Sequence, residues 1–184
     1  GDVIPVYILD DTNAGDWSMG GASRWWLHHA LESLNTSLHG KLQLYRGEPL
    51  AILSKLARDT SAQNVYWNRC YEPWRIARDG EIKTALKAAD IEVKSFNGSL
   101  LWEPWQVLKK DQTPYKVFTP YYRRGCLSKV SPRKPLAAPN TVRSLNVSED
   151  SLRLKDLNLK PIIKWDTEMQ ARWAIENLIS PQGM

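Results

Sequence analysis

Residues 64–80, NVYWNRCYEPWRIARDG, pass from a short apolar strand through a polar turn directly into a helix. The strand is marked by Val65, Tyr66 and Trp67, residue types that suit a pleated, half-buried surface. The helix opens at Glu72-Pro73, where proline costs nothing at the first helical position, and carries Ile82, Ala85, Leu86 and Ala89 at i, i+3, i+4 and i+7. A turn at the carboxyl end of a strand is where an α/β sheet binds its ligand. Here that turn is crowded with chemistry: Asn68 and Arg69 can hydrogen-bond, Cys70 is a soft thiol, Tyr71 and Trp74 offer stacking faces, and Glu72 is anionic.

The same strand-to-helix alternation extends to either side. Residues 3–9 (VIPVYIL) are nearly continuous in apolar and β-branched types, as in a strand covered on both faces, and end at Asp10 and Asp11. Leu27, Leu31, Leu34 and Leu38 then form one stripe of a helix that begins near Ala22, after Gly20-Gly21. Residues 41–45 alternate as a strand, and Gly47-Glu48-Pro49 opens a helix with Leu53, Leu56 and Ala57 inward. Residues 91–96 supply a fourth strand. The pattern predicts a three-layer, mainly parallel, Rossmann-like α/β sheet. Because residue 3 already lies in a buried strand, an opening β-α unit is expected to be missing from this fragment.

Beyond Tyr121 the periodicity fades. A segment rich in Pro, Ser and Lys reads as a linker, with weak helix signals at 151–157 and 167–178. Residues 1–122 are therefore expected to form the α/β domain and residues 123–184 an irregular connecting segment. Residues 115–134 hold six basic residues, four aromatics and no acids. Such interleaving can clamp nucleic acid; packing of the aromatics on the domain is the preferred reading.

Composition narrows the remaining choices. A net charge of +5 among 184 residues is too modest, and too evenly interspersed with acids, to prove a polyanionic partner. The nine tryptophans promise large packed surfaces, most of them in the core. Cys70 and Cys126 lie far apart without metal-ligand spacing, which suggests reduced thiols and no metal site. No apolar run approaches the roughly 20 residues of a membrane helix, and no signal peptide is evident, so a cytoplasmic protein with no membrane partner is expected. The Asn-x-Ser/Thr matches at Asn35, Asn97 and Asn146 are then not glycosylation sites.

Strand ends of a parallel sheet converge, so Asp10-Asp11, Arg46-Gly47 and residues 68–72 are expected to be neighbours around a pocket. A planar heteroaromatic ligand would suit it, with Tyr71 and Trp74 stacking, Arg24 and Arg69 meeting anionic groups, and Glu72 accepting from a ring N–H. Alternatively, Glu72 simply favours the positive end of its helix, worth about 0.3–1 kcal/mol. Neither G-x-G-x-x-G nor a phosphate-binding P-loop is present, His28-His29 lacks a third ligand, and Cys70 lacks a histidine nearby in sequence.

YWNRCYEPWRIARDGEI, followed by PYKVFTPYYR, resembles the N-terminal domain of the DNA photolyase and cryptochrome family in its microbial photolyase branch. VIPVYILDD, MGGASRWWLHHAL and YRGEP reinforce the resemblance in family order, which covers residues 3–122, and LKPIIKWD is similar to the family's interdomain connection. The resemblance implies an α/β domain that holds an antenna chromophore. It also implies a C-terminal helical domain, absent from this chain, that holds reduced FAD and splits pyrimidine dimers in damaged DNA. The fragment itself would carry no catalytic residue. The antenna site implied comprises Asp10, Arg24, Asn68, Arg69, Cys70, Tyr71 and Glu72. Asp10, Arg24, Asn68 and Glu72 follow the deazaflavin-binding pattern, although Cys70 stands where that pattern has an acid. Trp74 and Arg75 replace the Asn-Glu pair of folate-binding members. A deazaflavin, FMN or no antenna stay open in that order, folate being disfavoured, and a signalling cryptochrome or a plain nucleotide-binding module are the alternatives.

Overall fold

The computed structural model describes residues 1–139, 141–145 and 148–174. Strand β1 (Val6–Leu9) leads through a long helix α1 (Gly21–Ser37) to β2 (Gln43–Arg46), and the two strands pair in parallel with Val6 opposite Gln43 and Leu9 opposite Arg46. Helix α2 (Pro49–Thr60) leads on to β3 (Asn64–Asn68), α3 (Pro73–Ala88) and β4 (Glu92–Phe96). The last two strands pair in parallel from Asn64–Glu92 to Asn68–Phe96. The sequence predicts one continuous sheet; among the described residues the strands instead form two parallel pairs. Strand β1 is shorter than the apolar run suggests, and Val3 makes an isolated parallel bridge to Ser144. Pro5 has no N–H for a ladder, although its carbonyl accepts from Gln43 N at 2.9 Å.

Each strand pair has its own core. Leu9, Leu31, Leu42 and Leu44 pack with Leu157 and Leu159, joined by Tyr7, Leu27 and Leu38. Leu34, assigned by its spacing to the same stripe of α1, remains 45% exposed. The second core gathers Ile82, Leu86 and Val93 with Leu50, Leu53, Val65 and Trp67. Thus α1 covers the first pair, while α2 and α3 serve the second.

The chain beyond Tyr122 is tied back to the first pair. Leu44 N donates to Ser151 Oγ at 3.0 Å, and Leu152 N donates to Leu44 O at 2.8 Å. The expected helix at 151–157 is a single 3-10 turn, Leu154–Leu157, whose Leu157 is fully buried. The later helix signal corresponds to a helix at Asp166–Ala174, and its extension to residue 178 lies outside the described residues, as does the Asn146 sequon. Before both of these in the chain, a short helix α4 (Phe118–Pro120) runs into a π-helical turn at Tyr121–Cys126. The aromatics there do not pack inward as expected: Phe118 is 73% and Tyr122 46% exposed, stacked on each other with ring centroids 5.8 Å apart. The helix Asp166–Ala174 is α5.

Candidate functional site: a cleft at the β3–α3 turn

Three Glu-Pro pairs lie in this chain, at Glu48, Glu72 and Glu103, and their carboxylates have different fates. Glu48 caps α2, accepting from Leu50 N at 2.9 Å and from Ala51 N at 2.6 Å, and so satisfies donors that the first turn leaves without partners. Glu72 occupies the same position before α3 but makes no capping hydrogen bond. Its side chain is 54% exposed, 3.8 Å from Arg75 Nε. Glu103 is buried, with a side chain only 7% exposed.

The turn leaves β3 with Arg69 N donating to Phe96 O at 2.8 Å, which extends the parallel ladder by one bond. The Arg69 side chain then reaches Glu103: Nε donates to Oε1 at 3.1 Å, and Nη2 donates to the same oxygen. Tyr71 OH donates to the other oxygen, Oε2, at 2.7 Å. Trp105 places its ring centroid 5.6 Å from the Arg69 guanidinium carbon. Burial pushes the Tyr71 phenol above its ordinary 10.0, and the Glu103 carboxylate pushes it the same way, with Arg69 opposing. Tyr71 is therefore a neutral donor at physiological pH. This buried anion satisfied by a guanidinium and a phenol is a fully partnered network, the arrangement in which a buried charge is tolerated.

Above it lies a cleft of about 540 Å³ lined by Arg69, Cys70, Tyr71, Glu72, Arg75 and Ser99. Arg75 Nη1 donates to Cys70 Sγ at 3.3 Å, and its guanidinium lies 4.9 Å from the centroid of Trp74. Arg78 also lies over the Trp74 ring, at 5.2 Å. The lining is cationic at Arg69 and Arg75, aromatic at Tyr71 and anionic at Glu72, so the cleft can accept a flat ring bearing both donors and anionic groups.

Arg69, Cys70, Tyr71 and Glu72 of the predicted set come together here. Asn68 precedes them, its amide lying where a Cβ at Gly98 would stand, so a larger residue there would have to displace the Asn68 side chain. Asp10 and Arg24 do not line the cleft. Asp10, 3% exposed, accepts from Arg78 Nη1 at 3.1 Å and from Thr12 N and Asn13 N. Burial would raise the Asp10 carboxyl, but hydrogen bonds from Asn13, Arg78 and Thr12 outweigh it and hold the group below the usual 3.8. Arg24 Nη2 donates to Asp11 Oδ1 at 2.6 Å, and Nε donates to Met19 O. The end of β1 is nonetheless linked to α3, since Arg78 of α3 donates to Asp10 at 3.1 Å. His28 and His29 pack in an aromatic cluster with Trp25, whose ring centroid is 4.7 Å from that of His29.

Sequence reasoning missed Glu103, Arg75 and Ser99. Arg75 was legible only as a substitution within a motif; Glu103 sits in LLWEP, some thirty residues from the turn it supports, and carries no local signal of its partners.

The DNA photolyase family model matches residues 1–140. The chain is 38% identical over 164 residues to the deoxyribodipyrimidine photo-lyase of Agrobacterium fabrum, covering 88% of this chain and 33% of that protein. It is 32% identical over 153 residues to cryptochrome-1 of Arabidopsis thaliana, covering 81% of this chain and 22% of the relative. A bacterial class III photolyase from Agrobacterium tumefaciens superposes with a TM-score of 0.82 at 34% identity, over 94% of this chain and 36% of that one. The chain therefore spans a third or less of the length of these curated relatives. The matched residues include both parallel strand pairs and the whole cleft, and the chain belongs to the DNA photolyase family.

Proposed function

We propose that this chain is the α/β part of a light-driven DNA photolyase, and that the cleft at the β3–α3 turn holds its antenna chromophore. The observation that carries this reading is the convergence of Arg69, Cys70, Tyr71, Glu72, Arg75 and Ser99 on one cleft of about 540 Å³. That volume and its lining suit a tricyclic ring system. Tyr71 offers a face, and Glu72, free of capping duty, can accept from a ring N–H. Arg69 and Arg75 can meet carbonyl or phosphate oxygens. A deazaflavin is the first choice and FMN the second; folate is disfavoured because Trp74 and Arg75 occupy the positions of its Asn-Glu pair. When bound, such a group absorbs near-UV or blue light and passes the energy on. The residues of this chain hold and orient it and exclude water from one face.

The intact protein would pair this part with a C-terminal helical domain carrying reduced FAD, and would act on pyrimidine dimers in damaged DNA. The likeness to cryptochrome-1 supports a second reading, a blue-light receptor that does not repair. Two measurements test the proposal. Titration of the chain with FMN, a deazaflavin and a reduced folate, followed by fluorescence, should give saturable binding of at least one of the first two; binding of none overturns the antenna reading. Light-dependent dimer repair by the full-length protein separates photolyase from receptor.

A further inference from the structure

We propose that Glu103 is a positioning residue for the cleft: without touching the ligand, its carboxylate fixes the Arg69 and Tyr71 side chains as two of the cleft's walls. The inference rests on the antenna reading for what the cleft binds, but not for the positioning itself.

Each oxygen of Glu103 is committed to a different wall. Oε1 accepts from Arg69 Nε at 3.1 Å and from Nη2, and Oε2 accepts from Tyr71 OH at 2.7 Å. The main chain that carries this carboxylate is itself held, because Glu103 N donates to the Gln106 side-chain oxygen at 2.7 Å. Arg69 is secured on further sides by Ser95, whose Oγ accepts from Nη1 at 3.2 Å, and by the Trp105 ring. The Glu103 side chain is 7% exposed and that of Arg69 31%, so the carboxylate is the more deeply buried partner of the pair. Both partners line the cleft and Glu103 does not. A long guanidinium and a phenol on a loop each lose rotamer freedom when they bind a ligand. A buried carboxylate that orders both beforehand removes part of that cost, and the isosteric amide, with one accepting oxygen in place of two, cannot accept from both at the two positions the carboxylate uses.

The test uses the whole chain, FMN as the probe, and the variants Glu103→Gln and Tyr71→Phe. At neutral pH the Tyr71 ring resonance, observed by NMR of carbon-labelled tyrosine and assigned by its loss in Tyr71→Phe, should move in Glu103→Gln while melting stays cooperative. FMN affinity should fall about tenfold. The same loss should be smaller in the Tyr71→Phe background, because the two residues act through one contact. An unmoved Tyr71 resonance, or fully additive losses, overturns the proposal. If Glu103→Gln does not fold, Tyr71→Phe alone decides: its missing hydroxyl points at Glu103 and not into the cleft, so unchanged FMN affinity overturns positioning and a severalfold loss supports it. If the wild-type chain binds neither FMN nor a deazaflavin while the Tyr71 resonance still moves, the antenna reading fails and the positioning role stands.

Discussion

Glu48 and Glu72 precede proline at two helix starts of identical local sequence logic, and replacing each by alanine should give opposite results. Glu48 accepts two backbone N–H bonds, at 2.9 and 2.6 Å. Losing a cap of this kind costs about 0.5–2 kcal/mol. For a chain of this size each kcal/mol lowers the melting temperature by about 2–4 °C, so Glu48→Ala should melt several degrees lower. Glu72 makes no capping bond and is 54% exposed, leaving only its attraction to the helix dipole. That attraction is at the low end of about 0.3–1 kcal/mol for a solvated carboxylate, about one degree. Binding should show the reverse. Glu72 lines the cleft, and deleting a carboxylate that accepts from a ring N–H costs about 1–3 kcal/mol, about five- to a hundredfold in affinity. Glu48 is not among the lining residues, and its variant should bind FMN as the parent does. Thermal melts by circular dichroism and fluorescence titration of the same samples make the comparison. If Glu72→Ala melts as low as Glu48→Ala and binds FMN unchanged, Glu72 is a helix-start residue and the reasoning fails.

Leu157→Ala should cost about 2–5 kcal/mol in urea unfolding, since this fully buried side chain packs in the core of the first strand pair; a loss below about half a kcal/mol would show the tail to be detachable. Asp10 is held below the usual 3.8, so the folded state takes up its proton less readily than the unfolded chain. Its contribution is present above that value and is lost as pH falls through the lowered folded value; Asp10→Asn should flatten this acid limb in pH-dependent melts. His28 is depressed below 6.5 by burial, then by Lys160 and His29, so the unfolded chain protonates first and stability declines as pH drops below 6.5. His28→Gln should remove that decline, and an unchanged profile would mean the ring is solvated in the folded state.

Much of the sheet was legible because strands and helices announce themselves locally. The stripe of α1, proline at the first position of α2 and α3, and the β-branched run of β1 are properties of residues within one turn or one strand of each other. Burial of Leu157 and Leu159 was not legible, because a 3-10 turn has no apolar period and its packing partners, Leu9 and Leu44, lie more than a hundred residues earlier. The division into two strand pairs was invisible for the same reason: strand pairing is a non-local choice. At the site, Arg69, Cys70, Tyr71 and Glu72 could be named because they are consecutive, whereas Asp10 and Arg24 were grouped with them by strand-end convergence alone. Their charges are instead consumed by Arg78 and Asp11.

The Glu-Pro pairs mark where local sequence stops deciding. Before α2 and α3 the dipeptide fixes a helix start, because proline presets φ and gives up only an N–H that the first turn leaves unpaired anyway. What the carboxylate then does depends on which side chains the rest of the fold brings within 3 Å or so of it, a typical hydrogen-bond length. Among the described residues Glu48 finds the first turn of its own helix, Glu72 finds an open cleft, and Glu103 finds Arg69 and Tyr71 from a distant turn. Local chemistry marked Glu48 and Glu72 as helix starts and left Glu103 unremarked; tertiary packing made one a cap, one a cleft wall and one the buried anchor of that cleft.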